Sequence, residues 1–261
     1  MTVVLGVLLG LFLGLPVVLL IVRSVAGGAL AFAITDPTVL DALQLSLITT
    51  AVSLLITIAV ATPVALLLAR RRFRGASIVE TVIDLPIVLP PSVAGLALLL
   101  TFGRRGLFGD ELAALGIAIP FTTVAVIIAQ MFVSMPFFIR AARAGFLGVQ
   151  KAYEDAARVD GATERRVAWA VTIPLAAPAL ASGIVMTWAR ALGEFGATIM
   201  FAGNVAGKTQ TLPLVVYGEF QSGNVDASVA ASTILVIAAF AVLVAVRGLG
   251  WGRALDLRNI A

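Results

Sequence analysis

The chain alternates between long apolar runs and short polar segments. A helix needs about 20 apolar residues to cross the hydrocarbon core of a bilayer, and the runs show no strand-like alternation of apolar and polar positions. Helices are therefore predicted rather than the strands of a barrel. The pattern predicts six transmembrane helices, over residues 3–22, 43–69, 86–102, 121–139, 175–200 and 227–246. We thus expect an all-α integral membrane protein.

Polar segments of different kinds separate these spans. Three segments are predicted loops: 23–42, 104–120 and 201–226. Part of the last loop could be re-entrant. The segment 78–84 is predicted to be amphipathic and to lie along the membrane surface. Pro63 and Pro136 are predicted to kink the second and fourth spans. A signal peptide is the alternative for the first run, but its length and the lack of Lys or Arg before it favour a retained helix.

Composition supports a membrane protein. The chain of 261 residues is 61% hydrophobic and 12% charged, whereas soluble domains are about half apolar and about a quarter charged. Since it contains neither Cys nor His, it has no disulfide framework, no thiolate metal site and no imidazole base. The net charge of +4 does not indicate a nucleic-acid partner, because the charges lie at the ends of the spans.

The distribution of Lys and Arg predicts the orientation. Residues 70–85, 140–174 and 247–261 together hold thirteen of the eighteen, the remaining loops hold four, and Arg190 lies inside a span. Cytoplasmic loops are enriched in Lys and Arg. Both termini and the loop 140–174 are therefore predicted to be cytoplasmic.

The most polar segment of the chain, residues 154–178, has the sequence pattern of a helical hairpin. Asp160-Gly161 is a turn pair whose glycine can take a positive φ and end a first helix. Thr163 can cap a second helix, and Pro174 prevents that helix from continuing unkinked into the next span. Such a hairpin at a membrane surface would suit a docking lever, while an amphipathic loop without a partner is the alternative.

Several stretches resemble one family. The order Glu154, Ala156, Ala157, Gly161, Ile173, Pro174 resembles the EAA loop of ABC importer permeases, which reads Glu-Ala-Ala, then Gly, then Ile-x-Leu-Pro. Asp155 is an insertion in that pattern, and the ending here reads Thr-Ile-Pro-Leu. The stretches 84–95, 190–204 and 209–213 resemble the molybdate permease branch, with the tungstate and sulfate permeases close to it. Together the resemblance covers about residues 40–250.

The resemblance implies a type I ABC importer transmembrane fold with a cytoplasmic coupling helix. Residues 1–42 would hold the first transmembrane helix and an outer loop, 43–248 the importer domain with five spans and the coupling loop 140–174, and 249–261 a short cytoplasmic tail. By the same resemblance, the segment 152–172 couples the chain to an ATPase through Glu154, Asp155, Ala156, Ala157, Asp160, Gly161 and Arg165.

The implied function is that of the membrane-spanning permease subunit of an ATP-driven oxyanion importer in the cell membrane. Molybdate is the expected cargo, with tungstate or sulfate as alternatives. The implied partners are a second copy of this chain, two ABC ATP-binding subunits, an extracytoplasmic oxyanion-binding protein and the lipid bilayer, with no nucleic acid.

The chain is not expected to be an enzyme, and no catalytic residue, metal or bound cofactor is expected. ATP and Mg²⁺ would be used by the partner ATPase. Residues 203–209 agree with this, because GNVAGKT has three residues between its glycines and a Walker A motif needs four.

Charges inside the fifth span mark a candidate translocation path or gate. Arg190 and Glu194 are four residues apart, and an unpaired charge near the bilayer centre costs about 2.5–3.5 kcal/mol. This spacing places both side chains on one face of the helix. They are therefore predicted to contact each other, a water-filled path or a partner subunit. Arg190 is the better candidate for attracting an anion, while Glu194 is assigned to structure or gating. Gly193 and Gly196 would let helices approach closely, and Thr198 offers a neutral hydrogen-bond donor.

Two other classes of protein remain as alternatives. A membrane enzyme would need nucleophiles, carboxylates or metal ligands clustered near the interface, and no span contains His, Cys or several carboxylates. A channel would not need a cytoplasmic docking hairpin.

Overall fold

The computed structural model describes residues 2–71 and 73–246, and all regular structure within them is helical, as predicted. Helices α1 to α7 cover Thr2–Ala26, Ala29–Ala33, Pro37–Arg70, Ala76–Val88, Pro91–Phe102, Gly109–Ala114 and Thr123–Gly148. Helices α8 to α14 cover Lys151–Val159, Glu164–Val167, Ile173–Leu175, Ala177–Leu192, Gly196–Phe201, Leu212–Gln221 and Val225–Val246, with a π-helical turn at Ala168–Thr172. The predicted tail 249–261 lies outside the described residues.

Four of these helices, α1, α3, α7 and α14, are long and apolar enough to cross a membrane by themselves. Two bent pairs raise the number to six if each pair counts as one span: α4 with α5, and residues 164–175 with α11. The prediction of about six spans is met in this sense. The third and fifth spans are bent, however, and each differs from its predicted form.

The predicted third span, 86–102, is wrong at its start. Helix α4 continues through Pro86, and the axis turns by 117° before α5 begins at Pro91. Leu89 and Pro90 are extended, with ψ of 134° and 135°, because a residue that precedes proline is sterically disfavoured in the helical region. Helix α5 has 12 residues and rises only about 18 Å, which is less than the thickness of the hydrocarbon core.

The fourth span is longer than predicted, and the fifth is interrupted. Helix α7 runs to Gly148 rather than ending at residue 139. Arg140 and Arg143 do not end it, since both find carboxylate partners on α4. Helix α11 ends at Leu192, and α12 follows a break over residues 193–195.

Short helices occupy parts of all three predicted loops, so those predictions are wrong in part. Helix α2 lies within 23–42, where α3 also begins, α6 lies within 104–120, and α13 lies within 201–226. Apolar periodicity over so few residues does not distinguish a short helix from an irregular segment. Helix α13 has Pro213 in its first turn, where the missing N–H has no helical partner to lose.

Residues 49–202 form one compact unit with two hydrophobic cores. The first packs α3, α7 and α11 around Phe138 and Phe146. The second packs α5, α7 and α12 around Phe201. Gly95 of α5 permits this second contact, since a Cβ there would lie 2.6 Å from the carbonyl oxygen of Ala197.

The other unit consists of the residues up to Ile48 together with Gly203–Ala241. Its core is made by α2, the start of α3, α13 and α14, with Leu212 and Ala230 fully buried. The N–H of Leu212 donates to Ser46 Oγ at 2.8 Å and so attaches the start of α13 to α3. Most side chains of α1 are exposed and apolar, the surface that a lipid-facing helix presents.

Candidate functional site

Helices α8 and α9 form the predicted hairpin, and we call residues 151–167 the polar hairpin. The turn between the helices contains Gly161 at φ +84°, a left-handed conformation that favours glycine. Thr163 caps α9, since its hydroxyl oxygen accepts the N–H of Arg166 at 3.4 Å. The helix, turn and second helix that the sequence predicts are therefore present.

Glu154 is buried on the inner side of the polar hairpin, with 3% of its surface exposed. Its Oε1 atom accepts two hydrogen bonds from Arg70, at 3.0 Å from Nε and 2.7 Å from Nη2. The hydroxyl of Thr172 donates to the same oxygen at 2.7 Å. A buried carboxylate is strongly disfavoured unless it is paired and hydrogen-bonded. These contacts therefore hold α8 against the end of α3 and against the π-helical turn.

The sequence predicts Glu154 as a coupling residue but neither of its partners. Arg70 enters the prediction only as one of the basic residues that indicate orientation, and no role is predicted for Thr172. The sequence nonetheless contains a signal that Glu154 pairs with a cation. A carboxylate in a short amphipathic helix at a membrane surface must face water or find a cation, and several arginines follow the second predicted span on the same predicted side.

The outward face of the polar hairpin is exposed and holds its own ion pairs. Arg158 contacts Asp155 at 2.7 Å within α8 and Glu164 at 2.7 Å across the turn. The hydrogen bonds to Glu164 raise the pKa of the Arg158 guanidinium above its ordinary value, so it stays charged. Of the other predicted coupling residues, Ala157 is half-buried, and the exposed ones are Asp155, Ala156, Asp160, Gly161 and Arg165.

Two large apolar side chains are exposed on the same hairpin. Val159 is 87% exposed and Tyr153 is 55% exposed. Exposed apolar groups surrounded by charged ones are typical of protein–protein contacts. These two side chains form the candidate docking face of the polar hairpin, and Glu154 lies buried beneath it.

The chain leaves the polar hairpin through the π-helical turn, of which Thr172 is the last residue. Such turns are rare and occur frequently at functional positions. Beyond Pro174 the axis turns by 74° before α11 begins at Ala177. The predicted proline break is present, although the bend lies at Ala176 rather than at the proline itself.

The charged pair of the fifth span lies at its break. Arg190 and Glu194 are 2.6 Å apart, and the Glu194 side chain is 1% exposed. The other carboxylate oxygen of Glu194 accepts the N–H of Ala197 at 2.7 Å in the first turn of α12. The prediction that the pair shares one helix face is wrong, because α11 ends at Leu192 and Glu194 belongs to the break. The carboxylate neutralises Arg190 and joins the two halves of the span.

The two glycines that flank Glu194 have different surroundings. A Cβ at Gly196 would lie 2.6 Å from the Cβ of Pro91, so this glycine lets α12 approach the start of α5. At Gly193 the nearest atom to such a Cβ would be the carbonyl oxygen of Ala189, at 3.6 Å. Within the part of the chain that the structure describes, no other helix therefore lies close to Gly193, and a close approach to a second copy stays a prediction.

Polar side chains are buried elsewhere in the unit 49–202. Thr198, a predicted pathway residue, is fully buried, and its hydroxyl has no hydrogen-bond partner among the described residues. Gln130 of α7, which was not predicted from the sequence, donates from Nε2 to the hydroxyls of Thr49 and Thr50 at 3.2 and 3.3 Å. An amide inside an apolar span is the signal for such a contact, since membrane helices use polar groups to bind one another.

Comparisons with known proteins bear on these features. Residues 61–250 match the family model described as binding-protein-dependent transport system inner membrane component. The molybdenum transport system permease protein ModB of Mycobacterium tuberculosis is 45% identical over 213 residues, which are 82% of this chain and 80% of that protein. The molybdate/tungstate transport system permease protein WtpB of Pyrococcus abyssi is 35% identical over 246 residues, which are 94% of this chain and 92% of that protein.

Among solved structures, the chain is similar to the bacterial alginate ABC transporter in complex with an alginate pentasaccharide-bound periplasmic protein. The TM-score is 0.77 at 16% identity, and the match covers 98% of this chain and 94% of that one. At this identity the likeness concerns the fold alone, and it agrees with the predicted type I ABC importer transmembrane fold. With the family model matching most of its length, this multi-pass membrane chain belongs to the family of binding-protein-dependent transport system inner membrane components.

Proposed function

We propose that this chain is the membrane-spanning subunit of an ATP-driven importer of molybdate or tungstate. The observation that carries the proposal is the extent of its permease relatives, which match 82% and 94% of this chain at 45% and 35% identity. One is named for molybdenum transport and the other for molybdate and tungstate. Sulfate, another tetrahedral oxyanion, is the alternative cargo.

The assembly that we propose contains two copies of this chain above two ATP-binding subunits. The permease itself needs no cofactor, because ATP and Mg²⁺ are used by those partner subunits. An extracytoplasmic binding protein delivers the oxyanion. The alginate ABC transporter is solved in complex with a periplasmic protein, which supports a binding protein as a partner of this chain.

The distribution of basic residues supports an orientation with both termini and the polar hairpin in the cytoplasm. Arg70 and Arg71 at the end of α3 and Lys151 and Arg158 of the hairpin belong to that basic side. The hairpin then faces the ATP-binding subunit. In this arrangement the importer domain extends over 43–248.

Motion of the ATP-binding subunit enters through the docking face at Tyr153 and Val159 and passes inward through Glu154. Three hydrogen bonds join Glu154 to α3 and to the π-helical turn. Because both attachments converge on one buried oxygen, displacement of the hairpin moves α3 and the turn together. Residues 152–172 thus act as a lever, and the bend at Ala176 carries the motion into α11.

Arg190 and Glu194 hold the gate region in position rather than bind the oxyanion directly. Their contact at 2.6 Å cancels the positive charge that would otherwise retain a passing anion. Gly193, Gly196 and Thr198 complete this region around the break. Selection among oxyanions then occurs mainly at the binding protein that delivers them.

Transport in proteoliposomes tests the proposal. The chain is reconstituted with its ATP-binding subunit, and uptake of molybdate, tungstate and sulfate is measured with ATP hydrolysis in the presence of the binding protein. Uptake of molybdate or tungstate that depends on ATP is expected. ATP-independent flux, or no uptake of any of the three ions, would contradict the proposal.

The lever is tested in the same system with Gly161→Trp. This variant should insert and associate but hydrolyse ATP without uptake, since a bulky residue is placed at a turn with φ +84°. Gly116→Trp is the matched control, because Gly116 also has positive φ, at +71°, and lies in the loop predicted to be outside. Equal loss of uptake in both variants would refute the assignment of the lever.

A further inference from the structure

A basic cleft of about 880 Å³ lies within the unit 49–202, beside the polar hairpin. Its walls are the end of α3, the start of α4, the end of α7 and the start of α8. The charged residues on these walls are Arg70, Arg71, Glu80, Arg143 and Lys151. Four cations against one carboxylate make the cleft electropositive.

The cations of the cleft are only partly neutralised. Arg70 and Arg143 each contact a carboxylate, at 2.7 and 2.8 Å. Arg71 and Lys151 form no ion pair with any residue that the structure describes. The Nε of Arg143 is buried and likewise has no acceptor in the described part of the chain. The cleft therefore presents the positive charges of Arg71 and Lys151, neither of which is in an ion pair with a described residue, to an incoming anion.

The remaining wall of the cleft is apolar. Leu68, Phe73, Leu147 and Val149 line it. Helix α4 beside it has no buried residue, and its Ile78 is 69% exposed. A basic patch next to exposed apolar surface, at the ends of membrane-spanning helices, suits an amphiphile with an anionic head and an apolar tail. A soluble oxyanion would leave the apolar wall without a partner.

We propose that the cleft binds an anionic phospholipid. Arg71 and Lys151 contact the phosphate of its headgroup, and its acyl chains run past Phe73 along α4. The inference goes beyond the transported cargo and does not depend on it, because it requires only that the chain lie in a membrane. A lipid bound there adjoins the contact between Arg70 and Glu154, and with it the polar hairpin.

Fluorescence quenching tests the site in the purified full-length protein. Phe73→Trp places an indole on the wall of the cleft, and the signal of the unsubstituted protein is subtracted. Bromine-labelled phosphatidylglycerol, added in mixed micelles, should quench the added indole at a much lower mole fraction than bromine-labelled phosphatidylcholine. Equal quenching by the two lipids would overturn the proposal.

Charge variants made in the Phe73→Trp protein separate this site from general attraction to a basic surface. Arg71→Gln with Lys151→Gln removes the two unpaired cations. Each cation near an anionic lipid surface changes affinity roughly fivefold, so the half-quenching mole fraction should rise roughly 25-fold. Arg104→Gln with Arg105→Gln removes the same net charge from the loop 104–120 and should have no effect. Equal shifts in both double variants would overturn the site.

Two additions test the source of the anion and the identity of the occupant. Inorganic phosphate should not restore the fluorescence, whereas restoration would show that a free oxyanion occupies the cleft. Adding the ATP-binding subunit should leave the quenching by phosphatidylglycerol in place. Loss of quenching in that complex would show that the cleft is a protein interface. Restoration of the fluorescence by phosphate, or loss of quenching with the ATP-binding subunit, would overturn the proposal.

Discussion

Replacing Glu154 with Gln tests the buried contact that joins the polar hairpin to α3. The substitution preserves the shape of the side chain but removes the negative charge that lies 2.7 Å from Arg70. The side chains of Arg70 and Glu154 are 17% and 4% exposed. In the variant, the guanidinium would therefore remain charged in a largely dry site without a counter-ion.

The expected loss of stability follows from this burial. Removing one member of a buried ion pair costs about 3–5 kcal/mol. Two features reduce that value here: the guanidinium keeps some contact with solvent, and the amide oxygen of Gln can still accept from Arg70 and Thr172. We expect the free energy of unfolding to fall by about 2 kcal/mol.

Thermal unfolding of the purified full-length protein in detergent measures this loss. For a chain of this size, 1 kcal/mol corresponds to about 2–4 °C in Tm, so Glu154→Gln should lower Tm by about 4–8 °C. Asp155→Asn is the matched control. Asp155 is 67% exposed and its partner 38% exposed, and an exposed ion pair contributes at most about 1 kcal/mol.

A double-mutant cycle separates the interaction energy of the ion pair from the other effects of the two substitutions. Arg70→Gln combined with Glu154→Gln removes both charges, so the combined loss should be smaller than the sum of the single losses by about 2 kcal/mol. Strictly additive losses, or a Tm for Asp155→Asn as low as that of Glu154→Gln, would refute the reasoning that a buried charge pair holds the hairpin.

The remaining predictions concern the break in the fifth span and the docking face. Gly196→Ala should lower stability by about 1–3 kcal/mol because its methyl group would overlap a neighbouring proline, whereas thermal unfolding of Gly193→Ala should match the original chain. Glu194→Gln should cost about 2 kcal/mol, since Arg190, 29% exposed, would lose its counter-ion within a span; an unchanged Tm would contradict this. Val159→Ser should change Tm by less than about 1–2 °C but weaken co-purification of the ATP-binding subunit, and undiminished co-purification would exclude Val159 from the docking face.

Local patterns predicted those parts of the fold that local physics determines. Helices α1, α3, α7 and α14 follow from apolar runs long enough to cross a bilayer. The polar hairpin follows from a turn glycine at 161 and a capping threonine at 163, each of which acts on its immediate neighbours. None of these features requires a partner that is distant in sequence.

Features that depend on distant contacts were not predictable in the same way. Arg70 and Glu154 are 84 residues apart, and no spacing rule relates them. The interruption near Glu194 is stabilised by a side chain that caps the following helix, a contact that hydropathy does not register. Helix α7 passes residue 139 because Arg140 pairs with Asp84 of α4, at 2.7 Å, so its charge is neutralised and does not end the helix.

The burial of Glu154 changes how the hairpin should be understood. A residue that is 3% exposed cannot itself provide the surface on which a partner docks, whereas Val159 and Tyr153 can. In the proposed lever, docking and transmission are therefore carried by different residues of α8, the exposed ones for docking and the buried one for transmission. Loss of the inner contact should destabilise the isolated chain, while loss of the outer contact should appear only when the ATP-binding subunit is present. A lever needs both properties, because force applied to a hairpin that is not attached to α3 would bend the hairpin rather than move the spans.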